Sequence, residues 1–395
     1  MLWFHGLVVA VLLGMVMAGC WDYRELEDRA LIVGLGIDEL PPARYQGKEM
    51  RMYQLIVQVV EPTGQSGGPT QGGMIGRGQG TKGYTNFTIE TPSIAEGIDR
   101  IITRSDRIPN LAHLQLIGMG EKVAKKGFNE LYDFFTRFPQ MRRKTEMVVF
   151  SGSLPPFFTT QSITEPTPAL HIAQLTDSVT ETLMIPDTNL GVVSKNIRGK
   201  TPYLMLLVAL DDKKEIVINR AAVFEGFKMV GTLSRSQLTD LSILHDEIQR
   251  GILHFPCYGG KQAALQVLRG KTRLKPDMRG NTPHVTFDIQ METELVEYQC
   301  LGAAMDKPEN IKRLERSYSA ILSRRLQRTM EELVKKYHSD LFRLTTRLKK
   351  DPAMYREIRQ RPKEFFQRLT FDMRVSLKIR NLGNTLETPS RSLRP

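Results

Sequence analysis

Few side chains in this sequence stand at spacings that support chemistry. The seven histidines are His5, His113, His171, His245, His254, His284 and His338. No two of them make the H-E-x-x-H pattern that sets two zinc ligands on one helical face. Asp211-Asp212 and Glu292-x-Glu294 are the carboxylate pairs. The second pair shares one face of a predicted strand, a spacing that suits acid–base work, although a solvated strand face is the plainer assignment. Gly34-Leu-Gly36 and Gly118-Met-Gly120 follow strand-like runs but lack the third glycine of a dinucleotide fingerprint. Gly199-Lys200-Thr201 and Gly270-Lys271-Thr272 end like a phosphate loop, yet Ser194 and Leu265 stand where its first glycine belongs. There is no G-x-S-x-G elbow. Three cysteines exclude a four-cysteine zinc site and a disulfide-dense scaffold. No catalytic residue, metal site or bound cofactor is expected, and the chain is not read as an enzyme.

One cysteine has a chemical context. Residues 1–20 read MLWFHGLVVAVLLGMVMAGC, with no Asp, Glu, Lys or Arg before Asp22. An apolar run of about ten residues is short for a membrane span and suits a signal-peptide core. Met17-Ala18-Gly19-Cys20 resembles a bacterial lipobox, with Met17 in place of the common Leu. That resemblance implies cleavage between Gly19 and Cys20 and a diacylglyceryl lipid on the Cys20 sulfur, the one covalent group expected. Two acyl chains give stable anchoring where one is marginal. Cys257 and Cys300 would then be the remaining thiols. Buried free cysteines are the default for them, although an exported chain permits a bond.

The elements that would carry any site follow from periodicity. The chain has 395 residues, a formal net charge of +12, 41% hydrophobic and 25% charged residues. That is an ordinary globular balance, neither disordered nor multispanning. Ala30–Ile37, Met52–Val60, Tyr84–Ile89, His113–Met119, Met147–Phe150 and Tyr203–Leu210 read as strands, and 215–233 as a hairpin. Helices are expected from Ser93, with Glu96 completing a capping box, over Glu121–Phe138, over Ile172–Leu183 and over Ser236–Gln249. Eight of the seventeen residues from Gly64 to Gly80 are glycine, a flexible loop. Val285–Met291 and Phe371–Ile379 alternate as half-buried antiparallel strands. Between them Ile311, Leu314, Tyr318, Leu322, Leu333 and Val334 mark one face of a long helix capped by Asp306. The division drawn is a signal peptide at 1–19, an N-terminal α/β domain at 20–195, a middle α/β region at 200–255, a C-terminal α+β domain at 256–383 and a disordered tail at 384–395. The fold class is α+β, in several mixed α/β domains with antiparallel-rich sheets.

The positive charge is local. Between Lys307 and Arg380 there are 21 Lys and Arg against 9 Asp and Glu. Arg324, Arg325, Arg328 and Lys335 on the long helix form a candidate basic interaction face, for anionic phospholipid or an acidic subunit, against the plainer reading of a solvated helix face. Few aromatics interleave them, so nucleic acid is not expected.

These features occur in a familiar order. The chain resembles the Ger(x)C family, the lipoprotein C subunits of nutrient germinant receptors in endospore-forming bacteria. The stretches that carry the match are Cys20-Trp21-Asp22-x-x-Glu25-Leu26 with Gly34-x-Gly36-Ile37-Asp38, then Ser93–Ile98, then His113–Gly127 with Arg142-Arg143, then Ala222–Leu233, then the basic helix with Val375–Arg380. The Gly-rich insertion departs from the pattern. The resemblance implies an anchor on the outer face of the spore inner membrane, two integral-membrane receptor subunits as partners, and no known catalysis. It makes Cys20 the lipidation site, with Trp21, Asp22 and Glu25 as a membrane-proximal motif. An indole beside a lipidated cysteine suits the interfacial belt. Two other classes stay open: a lipid-anchored solute-binding protein that captures the germinant itself, and a cell-wall hydrolase.

Overall fold

The computed structural model describes residues 28–60, 83–160, 162, 164–180, 188–248, 251–257, 260–300 and 307–381, with 3 and 5 besides. Gly19, Cys20, Trp21, Asp22, Glu25, the Gly-rich segment 64–80, Asp306 and the tail 384–395 lie outside the described residues.

The β-branched runs pair into a nine-stranded sheet. Its strands are β1 (Arg29–Tyr45), β2 (Lys48–Val60), β3 (Tyr84–Thr91), β4 (Ile108–Asn110), β5 (Leu116–Gly120), β6 (Glu146–Phe150), β7 (Tyr203–Leu210), β8 (Ile216–Glu225) and β9 (Lys228–Ser234). Their order is β3-β2-β1-β5-β6-β7-β8-β9, with β4 beside β1. β1, β5, β6 and β7 are parallel, and antiparallel hairpins flank them. The strands of the expected middle region, β7 to β9, thus extend the sheet that β1 begins. α1 (Ile94–Ile102), α2 (Glu121–Lys126), α3 (Asn129–Arg137) and α5 (Leu190–Gly199) share a core with one face. A 3-10 turn at Pro155–Phe158, α4 (Pro168–Thr180) and α6 (Arg235–His245) cover the other.

That second core continues without a break into a four-stranded sheet, β10 (Ile252–Pro256), β11 (Gln262–Arg279), β12 (Thr282–Tyr298) and β13 (Thr370–Asn381). Between β12 and β13 run α7 (Pro308–Tyr337), α8 (Leu344–Arg347), α9 (Pro352–Gln360) and α10 (Pro362–Arg368). The apolar stripe of α7 is the expected one, with Tyr318, Leu322, Leu333 and Val334 buried.

Two glycine pairs that failed as nucleotide motifs have a packing role. A Cβ on Gly36 would stand 2.5 Å from the Phe158 ring, and one on Gly118 would overlap the Phe150 ring. Gly36 and Gly118 are register partners across β1 and β5. The sheet is bare there so that the rings of Phe150, Phe157 and Phe158 can lie on it.

Several expectations are corrected. β13 joins β12 in parallel, not antiparallel, because alternation reports which face is buried and the intervening helices supply the crossover that parallel pairing needs. The helix expected over Glu121–Phe138 breaks at Gly127, whose φ of 108° no helix tolerates. His113 lies in an exposed turn before β5. The Ser93 hydroxyl accepts from Glu96 N–H, but the Glu96 carboxylate turns to Arg100 and Tyr45, leaving half a capping box. The complete box is Ser234 with Gln237, at the start of α6. α7 starts at Pro308 with Lys307 as its cap residue, not Asp306. Cys257 and Cys300 are bonded, with Cα atoms 5.8 Å apart. Their separation of 43 residues hides this, but β10 and β12 both flank β11, and both chain ends pass its first residue, Gln262.

At the end of α7 the chain turns through His338, and Asp340 accepts hydrogen bonds from the N–H groups of Leu344 and Thr345. Burial pushes the Asp340 carboxyl up to about 6 despite those bonds. Between about pH 4 and that value the folded chain keeps a proton that the unfolded chain has released, so this group's contribution to stability falls as pH rises. Asp340→Asn is neutral at every pH. Relative to the parent it should gain about 3 kcal/mol between pH 4 and pH 7 in urea unfolding. An offset that does not change with pH would refute the assignment.

Candidate functional site

The basic residues singled out on α7 do not form one face. Arg325 turns inward, where its Nε donates to Asp240 Oδ1 at 2.8 Å. The Asp240 side chain is 1% exposed and also accepts from the Thr329 hydroxyl at 2.7 Å. Burial pushes its carboxyl up, with Arg325 and Thr329 acting against that. Arg325 thus bolts α7 to α6. Arg324 and Arg328, one turn apart, stay exposed, and Lys335 continues their stripe.

Arg324 and Arg328 line a groove of about 600 Å³ between α7 and β13, with Ser323, Gln327, Glu331, Asp372, Met373 and Arg374. Its two acids are engaged. Glu331 accepts from Gln327 at 2.9 Å, and Asp372 lies 3.2 Å from His284 Nε2 and 3.6 Å from Arg279. Three guanidiniums are left facing solvent without an acidic partner among the described residues. Arg374 was passed over in the sequence because it occupies an outward position of an alternating strand, where a charge is unremarkable; only the helix beside it makes it part of a cluster. Such a set matches carboxylate or phosphate oxygens.

The groove floor depends on a second row that sequence reasoning missed. Glu315 and Ser319 accept from the N–H groups of Ile379 and Leu377, while Ser323 and Gln327 donate to the carbonyls of Met373 and Phe371. Their repeat of four along α7, between the apolar and basic stripes, was the available signal.

Other candidates are built into the fold. Glu292 is flanked by Arg269 and Arg380 on the neighbouring strands, and they hold its carboxyl down to about 2. It is therefore ionised throughout the range in which a general acid works. Asp211 organises the β7–β8 turn by accepting from the N–H groups of Lys213 and Glu215. Near the far end of β1 the buried Glu39 accepts from Arg51 and Lys126. Burial opposes its ionisation, but those two cations hold its carboxyl below the usual range. Beside it is a pocket of about 400 Å³ lined by Tyr53, Ile94, Glu130, Leu131, Phe134 and Phe138 among others. The Tyr53 hydroxyl donates to Glu130 at 3.1 Å, and burial pushes it up to about 12. Among the described residues no group of three His, Cys, Asp or Glu could hold a metal, and no helix is long and apolar enough to cross a membrane.

Comparison with known proteins accounts for nearly all of this chain. The family model described as spore germination protein N-terminal domain matches residues 22–209, and that described as spore germination B3/GerAC like, C-terminal, matches 219–383. The seam falls at the β7–β8 turn, inside one sheet. Spore germination protein B3 of Bacillus subtilis (strain 168) is 22% identical over 378 residues, covering 93% of this chain and 95% of its own. Spore germination protein KC of the same organism is 25% identical over 416 residues, covering 95% of each. The crystal structure of the GerBC protein superposes with a TM-score of 0.56 at 20% identity, over 91% of this chain and all of that one.

The arginine geometry predicts a split outcome. Arg325→Ala strands a buried carboxylate and should lower stability by about 3–5 kcal/mol. Arg324→Glu combined with Arg328→Glu should change it by less than about 1 kcal/mol. Urea unfolding of both variants checks this; equal losses would contradict it.

Proposed function

The chain belongs to the GerAC-like family of spore germination proteins, a family with no known catalytic activity, and from that premise we propose that it is a lipid-anchored, non-enzymatic subunit of a nutrient germinant receptor. The observation that carries this is the extent of the family match. It begins at Asp22, two residues after Cys20, and runs to 383 with one short gap. The residues before it are those of a lipoprotein leader. Cys20 takes the lipid, Trp21 lies in the interfacial belt, and Asp22 and Glu25 follow in the headgroup layer. The chain is held on the outer face of the spore inner membrane, at high local concentration beside two integral-membrane subunits. The α7–β13 groove, with Arg324, Arg328 and Arg374, is the surface assigned to an acidic segment of one of them.

Gentle solubilisation of spore membranes followed by mass spectrometry should recover the chain with two multispanning subunits in fixed ratio. Arg324→Glu with Arg328→Glu should lower that recovery about tenfold, as the loss of one charge-assisted contact of about 1.4 kcal/mol would. Recovery of the chain alone would overturn the receptor-subunit reading. Cys20→Ala should abolish the acyl mass and slow germination at least about tenfold; an unaltered response would remove the anchor from the mechanism.

The pocket at Tyr53 and Glu130 favours one second reading, direct capture of a small solute. A nutrient that stabilises the chain by about 2.7 kcal/mol at a hundredfold excess over its Kd would establish it. A flat thermal-shift panel would leave the scaffold reading.

A further inference from the structure

The described chain starts at one definite place on the large sheet. Cys20 precedes Arg29, the first residue of β1, by nine positions, which span at most about 30 Å when extended. β1 is parallel to β4, β5 and β6, with register partners Arg29 and Ile108, Gly34 and Leu116, and Leu116 and Glu146. The segments that lead into those strands, 103–107, 111–115 and 139–145, therefore reach the same end of the sheet as the tether. Leu111 N–H donates to Gln140 Oε1 at 2.8 Å and ties two of them together. β2 ends and β3 begins there too, since Val60 pairs with both Leu31 and Tyr84. The Gly-rich insertion is rooted at this end.

At this end exposed cations outnumber exposed acids. Arg104, Arg142, Arg143 and Lys144 are exposed. The ion pairs nearby, Arg100 with Glu96 and Arg137 with Asp133, leave these four without an acidic partner among the described residues. Three exposed acids, Asp28, Asp99 and Asp106, accompany them. Set among the cations are Ile102 and Ile108, large apolar side chains that are 51% and 41% exposed. Cations interspersed with exposed aliphatic groups, within tether reach of an acylated cysteine, have the composition of a membrane-surface contact.

We infer that this end of the large sheet rests on the headgroups of an anionic phospholipid bilayer, with Ile102 and Ile108 in the interface and Arg104, Arg142, Arg143 and Lys144 on the phosphates. The inference rests on the lipid-anchor reading and adds an orientation to it. β1 stands with its first residue toward the membrane and its hairpin turn away.

The test uses the full acylated chain in vesicles of phosphatidylcholine with and without phosphatidylglycerol, one bilayer lipid carrying an energy-transfer acceptor on its headgroup. A donor dye is attached at Ile108→Cys or at Met50→Cys. Met50 is 40% exposed and pairs with Ala43 at the far end of β1, about 46 Å along the strand from Arg29 at about 3.3 Å per residue. Transfer from position 108 should exceed that from position 50 at least about twofold, as that separation requires. The excess should shrink in pure phosphatidylcholine, and also when Arg142, Arg143 and Lys144 are all changed to Glu, with the chain still on the vesicles. Those three lie in an exposed loop whose backbone contacts, such as Gly191 N–H to Arg143 O, any side chain permits. Equal transfer from both positions, or transfer indifferent to lipid charge and to the reversal, overturns the inference while the anchor stands. A chain that floats only with phosphatidylglycerol keeps the lipid-facing end and loses the anchor. A chain that floats with neither overturns both.

Discussion

A strand at the edge of a sheet carries N–H and C=O groups with no strand to receive them, and the C-terminal half of this protein is arranged around one such edge. β13 pairs with β12 on one side. On its other side lies α7, whose Glu315, Ser319, Ser323 and Gln327 satisfy backbone groups from Ile379 down to Phe371. Four helical residues advance about 6 Å and two strand residues about 6.6 Å, which matches the first and last steps of this row, while the middle step from Leu377 to Met373 passes over Val375. At its full length α7 spans about 45 Å, close to the roughly 40 Å of β13. Once the helix is pinned by that row, its faces are fixed. Tyr318, Leu322 and Leu333 enter the core, Arg325 meets Asp240, and Arg324 and Arg328 remain outside over the groove.

Asp240 and the disulfide hold the same arrangement from different sides. A buried carboxylate accepts only one helix register, the one that delivers Arg325 and Thr329 to it. The Cys257–Cys300 bond closes the small sheet at the start of β11, just before the chain enters α7. The large sheet uses another device. Its bare patch at Gly36 and Gly118 lets an aromatic cluster lie against the strands, and Gln58 fastens that cluster by donating to Phe158 O while accepting from Ala169 N–H. A Gly-x-Gly pattern that looks like a ligand loop in a list of motifs is here a seat for phenylalanine rings.

What the sequence made legible was local. The two-residue alternation of β12 and β13, the apolar stripe of α7 and the boundaries of β7 could all be read because each depends on neighbours in the chain. Direction was not legible for β13, since the same alternation serves parallel and antiparallel pairing. Neither was the inward turn of Arg325. It belongs to the same run of cations as Arg324, and nothing within ten residues distinguishes them; the distinction is made by Asp240, 85 positions away. The cysteine pair and the groove with Arg374 failed to show for the same reason. Recognition of the family rested on short motifs in fixed order, which survive where individual contacts cannot be read.

The distribution of charge argues for a division of labour between two surfaces. The fold spends its acids on neutralising particular cations: Glu39 on Arg51 and Lys126, Asp240 on Arg325, Glu292 on Arg269 and Arg380. Among the cations left over after such pairing, two sets share a surface with a second feature. One set lies in a concave groove beside a helix, the other on loops at the end of a sheet, among exposed isoleucines. A groove defines the shape of what enters it and suits a segment of polypeptide. Loops flanked by aliphatic side chains define no shape and suit a fluid surface of phosphates. On the proposed reading, a subunit on a short lipid tether would use both: one contact to fix its tilt on the bilayer, and another to meet its partners in a single orientation.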